Sequence, residues 1–243
     1  MFQFFVEPGQ ICGDIATITG SDVNHIRNVL RMRTGEEVRI SDNAGGDFYC
    51  AVSRIESEKI TLKVLREAEG TELSLRITLF QGLPKGDKME LVIQKAVELG
   101  VSEIIPVAMR NCVVKLDEKR AKAKQARWQA IAESAAKQSK RSIIPRVGMV
   151  MNFRQATEYA QSLDVRILPY ENQRGLAHTR EVFSKIPKGS SVGIFIGPEG
   201  GYDSAEIALA KEDMEMVSLG NRILRTETAG LCALSMLQYA VED

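Results

Sequence analysis

The stretch "SVGIFIGPEGGYDSAEIALA", residues 191–210, decides how the chain is read. It opens on an apolar run of strand character and passes into a glycine-rich turn. Asp203 follows, with Glu206 three residues later, the spacing of a capping box that starts a helix. Strand, turn and helix in that order put the turn at the carboxyl end of a sheet strand, where open α/β folds bind ligands. Turns of this kind commonly cradle phosphate on free backbone N–H groups. Here Pro198 has no N–H to give, and Glu199 adds negative charge. No Lys-Ser or Lys-Thr follows the glycines, and Gly197, Gly200 and Gly201 do not fall at GxGxxG spacing, so both common nucleotide fingerprints are missing. The residues suit a neutral or cationic ligand that approaches the backbone closely. The competing reading is a tight turn that needs glycine for φ > 0.

Outward from this turn, strands alternate with helices. "LRITLFQGL" from Leu75, "SEIIPVA", "VRILPY" and "MEMVSLG" read as strands. "DKMELVIQKAVELG" is an amphipathic helix closed by Gly100. "EKRAKAKQARWQAIAESAAKQSK" is a long helix with Trp128, Ile131, Ala132 and Ala135 on one face, so Trp128 reads as core. "TETAGLCALSMLQYAVED" is the closing helix. The alternation argues an α/β domain with a largely parallel sheet over residues 74–243. Residues 1–70 differ. "EEVRISD", "DFYCAVSRI" and "KITLKVL" alternate as strands, "DNAGGD" is a turn, and "SDVNHIRNVLRM" is a short helix capped by Ser21 or Asp22. A small β-barrel-like domain fits them, with residues 67–73 as a linker.

Composition excludes more than it identifies. Among 243 residues, 32 Lys+Arg balance 32 Asp+Glu, so partners must be sought in local charge. Cys12, Cys50, Cys112 and Cys232 are scattered without a CxxC pair, which argues against a disulfide framework or a metal site and for a cytoplasmic protein with reduced thiols. No apolar run approaches the roughly 18 residues of a membrane span. "MFQFFVEPGQ" lacks the layout of a signal peptide. Between residues 115 and 141, Lys115, Lys119, Arg120, Lys122, Lys124, Arg127, Lys137, Lys140 and Arg141 outnumber Asp117, Glu118 and Glu133. Arg27, Arg31 and Arg33, with His25 beside them, form a second basic cluster. Both clusters suit phosphates, and a solvated helix face is the alternative for the first.

A second unusual stretch is "SLGNRILRTETAGLCAL", residues 218–234. Leu219-Gly220 ends a strand, and Arg225-Thr226-Glu227-Thr228 opens an almost wholly apolar helix. Thr226 can cap it and Glu227 suits the positive end of its dipole. Arg225 is harder to explain as structure, unless it forms a surface ion pair with Glu227.

Taken in order, "HIRNVLRMRTGEEVRISD", "KGDKMELVIQKAVELGVSEIIPV", "RWQAIAESAAKQSKR", "IGPEGGYDSAE" and "LGNRILRTETA" resemble the RsmE family of the SPOUT superfamily, which methylates N3 of a uridine in 16S ribosomal RNA of the small subunit. The resemblance covers essentially the whole chain. It implies a PUA-like RNA-binding domain, a SPOUT sheet with a C-terminal trefoil knot, a homodimer, and S-adenosylmethionine held in the knot. The implied cofactor residues are Leu168, Pro169, Tyr170 and Glu171; Ile196, Gly197, Pro198, Gly200 and Gly201; and Leu219, Gly220, Ile223, Leu224, Thr228 and Ala229. S-adenosylmethionine carries a sulfonium and no phosphate, which suits the turn described above. Two places depart from the family pattern: Gln3 stands where a basic residue is usual before the aromatic pair Phe4-Phe5, and Arg110-Asn111 stands for Arg-Ser.

The implied reaction needs donor and acceptor aligned and the imide proton of N3 removed. Arg225 is the expected electrostatic element, because its charge is permanent and its planar fork suits an O–C–N edge. Glu199 and Glu227 are candidates for base or orienter, with a structural role as the alternative for either. RNA contacts are expected from His25, Arg27, Arg31, Arg33, Arg110, Lys122, Lys124, Arg127 and Arg141. The alternatives are a non-catalytic RNA-binding ribosome-assembly factor, and an ordinary nucleotide-dependent Rossmann enzyme.

Overall fold

A computed structural model describes residues 1–173 and 175–241. The chain divides into two compact units, one of residues 1–72 with 136–144, the other of residues 73–135 with 145–243.

In the first unit, β1 (Phe2–Phe5), β2 (Ile11–Cys12), β3 (Ile15–Thr19), β4 (Glu37–Ser41), β5 (Asp47–Ile55) and β6 (Lys59–Glu67) form one sheet in the order β1-β4-β5-β6-β3-β2. The barrel-like expectation resolves into a curled sheet with β1 and β2 at its edges. Register shifts at Tyr49/Cys50 and Val52/Arg54 are the kind of irregularity that bends a strand and sharpens twist. Val38, Ile40, Cys50, Val52, Ile60 and Leu62 alternate inward, and Val23 and Ile26 complete the core.

The short helix α1 (Ser21–Asn24) runs on into a π-helical turn over His25–Val29. Neither Ser21 nor Asp22 caps it. Gly20 occupies the cap without a side-chain hydrogen bond, and Asp22 pairs instead with Lys137 at 3.3 Å. The expected linker is tied down as well: the Glu72 carboxylate accepts from Arg141, from the Ser142 amide at 2.9 Å and from the Ile143 amide at 3.2 Å. Arg141 is the buried member of this pair and needs the half-buried Glu72, because an unpaired charge inside a fold is costly.

In the second unit, β7 (Arg76–Gly82), β8 (Glu103–Ala108), β9 (Arg146–Val147), β10 (Met151–Asn152), β11 (Val165–Pro169), β12 (Ser191–Ile196) and β13 (Glu215–Val217) form a sheet ordered β10-β8-β7-β12-β11-β13, with β9 beside β8. Every pairing in it is parallel. α2 (Lys88–Glu98), α3 (Glu118–Ser139), α4 (Phe153–Ala160), α5 (Ala177–Ser184), α6 (Ser204–Ala210) and α7 (Thr226–Val241) complete the chain. A parallel sheet covered on both faces selects unbroken apolar strands, and all of β12 is buried. At its centre Phe80 stacks on Phe195 with ring centroids 4.2 Å apart, and Phe153 meets Phe195 edge-on. Trp128 on α3 is core, at 2% exposure. The closing helix is described to Val241; Glu242 and Asp243 of the expected stretch lie outside the described residues. No helix among the described residues is long and apolar enough to cross a membrane.

Phe195→Ala is expected to destabilise the protein by about 3–5 kcal/mol, since it empties a stacked, fully buried position. Urea denaturation followed by tryptophan fluorescence checks the value.

Candidate functional site

Parallel pairing brings the carboxyl ends of β7, β12, β11 and β13 to one edge, at Gly82, Ile196, Pro169 and Val217. The loops leaving β11, β12 and β13 line an open cavity of about 620 Å³. Its wall is residues 169–173, 196–199 and 218–226, with Gly201, Tyr202, Ala229 and Lys88. Twelve of the fifteen cofactor residues expected from sequence are thereby brought together: Pro169, Tyr170, Glu171, Ile196, Gly197, Pro198, Gly201, Leu219, Gly220, Ile223, Leu224 and Ala229. Leu168 is instead fully buried in the sheet, Gly200 turns toward Asn111, and Thr228 is exposed outside the wall.

The loop after β12 is fixed from below. Thr226, the first residue of α7, does not cap the helix with its side chain. Its hydroxyl donates to the Gly197 carbonyl at 2.7 Å and accepts from Gln81 Nε2 at 2.9 Å. The Thr228 and Ala229 amides bond the Arg225 carbonyl at 2.8 Å each, the ordinary bonds of a first helical turn. At Gly82 a Cβ would lie 2.7 Å from the Pro198 nitrogen, so only glycine lets this loop cross the end of β7. Gly201 has φ +67 and donates to Pro198 at 2.9 Å, so the tight-turn reading holds for this glycine. Tyr202 packs its ring on Gly197 and donates to the Phe195 carbonyl at 2.8 Å. Burial and the nearby Glu206 push its hydroxyl well above the usual range, so it stays a donor. The expected capping box of Asp203 and Glu206 is formed. Asn111 Nδ2 reaches the Gly200 and Gly201 carbonyls at 3.1 and 3.3 Å, so the departure from Arg-Ser still supplies a hydrogen bond to the loop.

The other two loops are set by short polar contacts. The Tyr170 amide donates to Val217 at 3.0 Å and so joins the ends of β11 and β13. The buried Thr179 hydroxyl donates to the Ser218 carbonyl at 2.8 Å and accepts the Ser218 amide at 3.1 Å.

Three charged groups meet at the cavity edge. Lys88 Nζ lies 3.1 Å from Glu199 Oε1 and 3.2 Å from Glu227 Oε2. Burial works upward on the Glu199 carboxyl, but the Lys85 amide, its own amide and Lys88 outweigh it and hold the group below the usual carboxylate range. Glu199 is therefore a fully ionised structural acceptor at neutral pH. The stability it lends is lost as pH falls through its lowered pKa. The hydrogen bond to Glu199 and the ion pair with Glu227 raise Lys88. Glu227 is thus not the partner of Arg225. The Arg225 guanidinium is exposed at the cavity wall and has no hydrogen-bond or ion-pair partner among the described residues.

The basic residues fall into different classes. His25, Arg27, Arg31 and Arg33 are exposed on the first unit. Lys122 and Arg127 are exposed on α3, Arg127 with Glu90 at 2.8 Å, and Lys124 lies over the Trp128 ring. Arg110 is exposed and pairs with Asp203 at 3.3 Å. Arg141 corrects the expectation: it is 3% exposed and bound to Glu72, so its charge is spent inside the fold. Gln3 is likewise buried, with Nε2 on Ser41 Oγ at 2.9 Å and on the Arg141 carbonyl at 2.6 Å. Sequence reasoning missed Gln81, Lys88 and Thr179. Only a buried polar residue inside or beside an apolar run could have flagged them.

Known proteins share this architecture. A family model described as an RNA methyltransferase domain matches residues 71–238, and one described as an RNA methyltransferase PUA domain matches residues 18–65. The Ribosomal RNA small subunit methyltransferase E of Bacillus subtilis is 41% identical over 231 residues, 93% of this chain and 90% of the relative. The protein of that name from Mesomycoplasma hyopneumoniae is 31% identical over the full length of both. The crystal structure of the one from Neisseria gonorrhoeae bound to S-adenosyl methionine superposes with a TM-score of 0.84 at 32% identity, over 98% of this chain and 97% of that one.

Thr226→Val should cost about 1–3 kcal/mol, because it strips the Gly197 carbonyl of its buried donor. Thr226→Ser should retain most of that stability. Paired denaturation curves test the difference.

Proposed function

Because the chain belongs to the Ribosomal RNA small subunit methyltransferase E family of RNA methyltransferases, we propose that it methylates N3 of a specific uridine in 16S ribosomal RNA, with S-adenosylmethionine as donor. The observation that carries this reading is the cavity itself. Three loops present backbone, apolar and polar groups around about 620 Å³, Pro198 and Glu199 deny a phosphate nest, and two guanidiniums without a partner among the described residues, Arg222 and Arg225, stand at the wall. That set of groups fits a ligand with an adenosine, an amino acid end and a sulfonium.

When bound, S-adenosylmethionine supplies a methyl carbon activated by positive sulfur. The chain's own residues would do the rest. The loops over residues 169–173, 196–201 and 218–224 would hold the donor and exclude water. Arg225 would face the uracil edge and stabilise the anion left when the N3 proton departs. Glu199 and Glu227 are both engaged by Lys88, and Glu199 is held ionised by three donors. Their role in this reading is to shape the loop. The proton then leaves to solvent or hydroxide, helped by Arg225. A paired base hides N3, so the uridine would have to be unpaired or turned out of its helix.

The remainder of the reading follows the same family. Residues 1–70 would act as the PUA-like RNA-binding domain and residues 74–243 as the methyltransferase domain. The passage from β12 to β13 and on to α7, which packs against β7, β12 and α2, would form the trefoil knot of the SPOUT superfamily. A cytoplasmic homodimer is its working state. RNA would be held by His25, Arg27, Arg31 and Arg33 on one unit and by Arg110, Lys122, Lys124 and Arg127 on the other.

Loss of the protein should remove one N3-methyluridine from small-subunit RNA, and mass mapping with and without it reads this directly. Unchanged RNA together with retained ribosome-assembly defects would favour the non-catalytic assembly factor. Arg225→Ala should lower kcat at least about a hundredfold with near-normal donor affinity and melting temperature. An equal loss of folding would make Arg225 structural. In the wild type, kcat/KM should climb with pH through neutrality with no carboxylate limb; a plateau set in the acid range would restore a glutamate as base. Reversing the charges of Lys122, Lys124 and Arg127 together should weaken RNA binding and flatten its salt dependence, by up to about 0.9 in log–log slope per lost phosphate contact.

A further inference from the structure

We propose that Lys88 is the positioning residue that closes the donor pocket, by holding Glu199 and Glu227 to a common ammonium. This rests on the donor reading above.

Lys88 is the first residue of α2, which is distant in sequence from both glutamates. Glu199 belongs to the loop after β12, and Glu227 to the first turn of α7. Both ion pairs are between 3.0 and 3.3 Å, with the Lys88, Glu199 and Glu227 side chains 31%, 25% and 16% exposed. The ammonium therefore links three separate segments where two of them form the pocket wall. Its own side chain lines the cavity. The Lys85 amide adds a second donor to Glu199 Oε1 at 3.1 Å, so the loop is drawn to the start of α2 by backbone and side chain together. Glu227 has no such reserve: its Oε2 is buried, meets Lys88 only as an ion pair, and has no aligned hydrogen-bond donor among the described residues.

Without Lys88, two carboxylates from different segments would face each other across a partly buried gap. Like charges at that separation repel and favour protonation of one of them. The loop would then move away from α7 and the pocket would open. The charged groups that face this point are Glu199 and Glu227 on one side and Lys88 on the other. Arg225, at the same cavity, has no contact with them.

Isothermal calorimetry with S-adenosylmethionine on the full chain tests this. Lys88→Met should weaken donor binding about tenfold at pH 8 and recover much of it toward pH 5.5, as one carboxylate takes a proton, while the wild type stays flat. Lys88→Met combined with Glu227→Gln should regain most of the affinity at pH 8, because the repulsion is gone. Lys88→Arg should stay within about threefold of wild type. A pH-independent loss in Lys88→Met, or no rescue by Glu227→Gln, would overturn the assignment. If Lys88→Met does not fold, the double variant decides: folded and donor-binding supports the pairing, and unfolded overturns it. No binding by the wild type would instead sink the donor reading, whatever the variants do.

Discussion

One hydroxyl, that of Thr226, sits where three distant parts of the chain must meet. Gln81 stands next to last in a central strand, Gly197 begins the decisive loop, and Thr226 begins the last helix. The hydroxyl satisfies a carbonyl on one side and an amide on the other. Buried polar groups with partners rigidify a structure, and the same groups without partners destabilise it. The contact is thus both glue and gauge for the loop, and the cavity exists in the shape it has because that loop is held there.

The same constraint explains the odd residues around it. Pro198 contributes no N–H and is pressed against the end of β7, where only a glycine at position 82 leaves room. Tyr202 braces Gly197 from the other side and is kept protonated by its own burial. Glu199, a candidate base on sequence grounds, is committed to Lys85 and Lys88. A carboxylate held ionised by three donors shapes a loop well and abstracts a proton poorly. Arg225, like Arg222 at the same wall, differs in that no described residue pairs with its guanidinium. An exposed but unpartnered guanidinium at a cavity wall is available to a ligand in a way that Arg141, with the same formal charge and a buried partner, is not.

In the first unit the chain's return over residues 136–144 is bound by Glu72, Asp22 and Gln3. The stretch read from sequence as a linker therefore carries the half-buried carboxylate that pairs with the buried Arg141. It looked like a linker because its residues are polar and small, and polarity alone does not report what a side chain will meet.

What the sequence alone determined was periodic or local. Apolar runs separated by helical spacing gave the parallel α/β domain. Alternation gave the strands of the small domain, the capping box of Asp203 and Glu206 gave the start of α6, and the order of five motifs gave the family. These are properties of neighbours along the chain, where propensity, burial pattern and turn chemistry agree. What only the tertiary structure decided was pairing at a distance. Gln81 with Thr226, Lys88 with Glu199 and Glu227, Thr179 with Ser218 and Arg141 with Glu72 are separated by 39 to 145 residues. No spacing rule reaches that far. A polar side chain's role depends on which partner the fold brings within about 3 Å, because hydrogen bonds and partly buried ion pairs lose most of their strength beyond that reach.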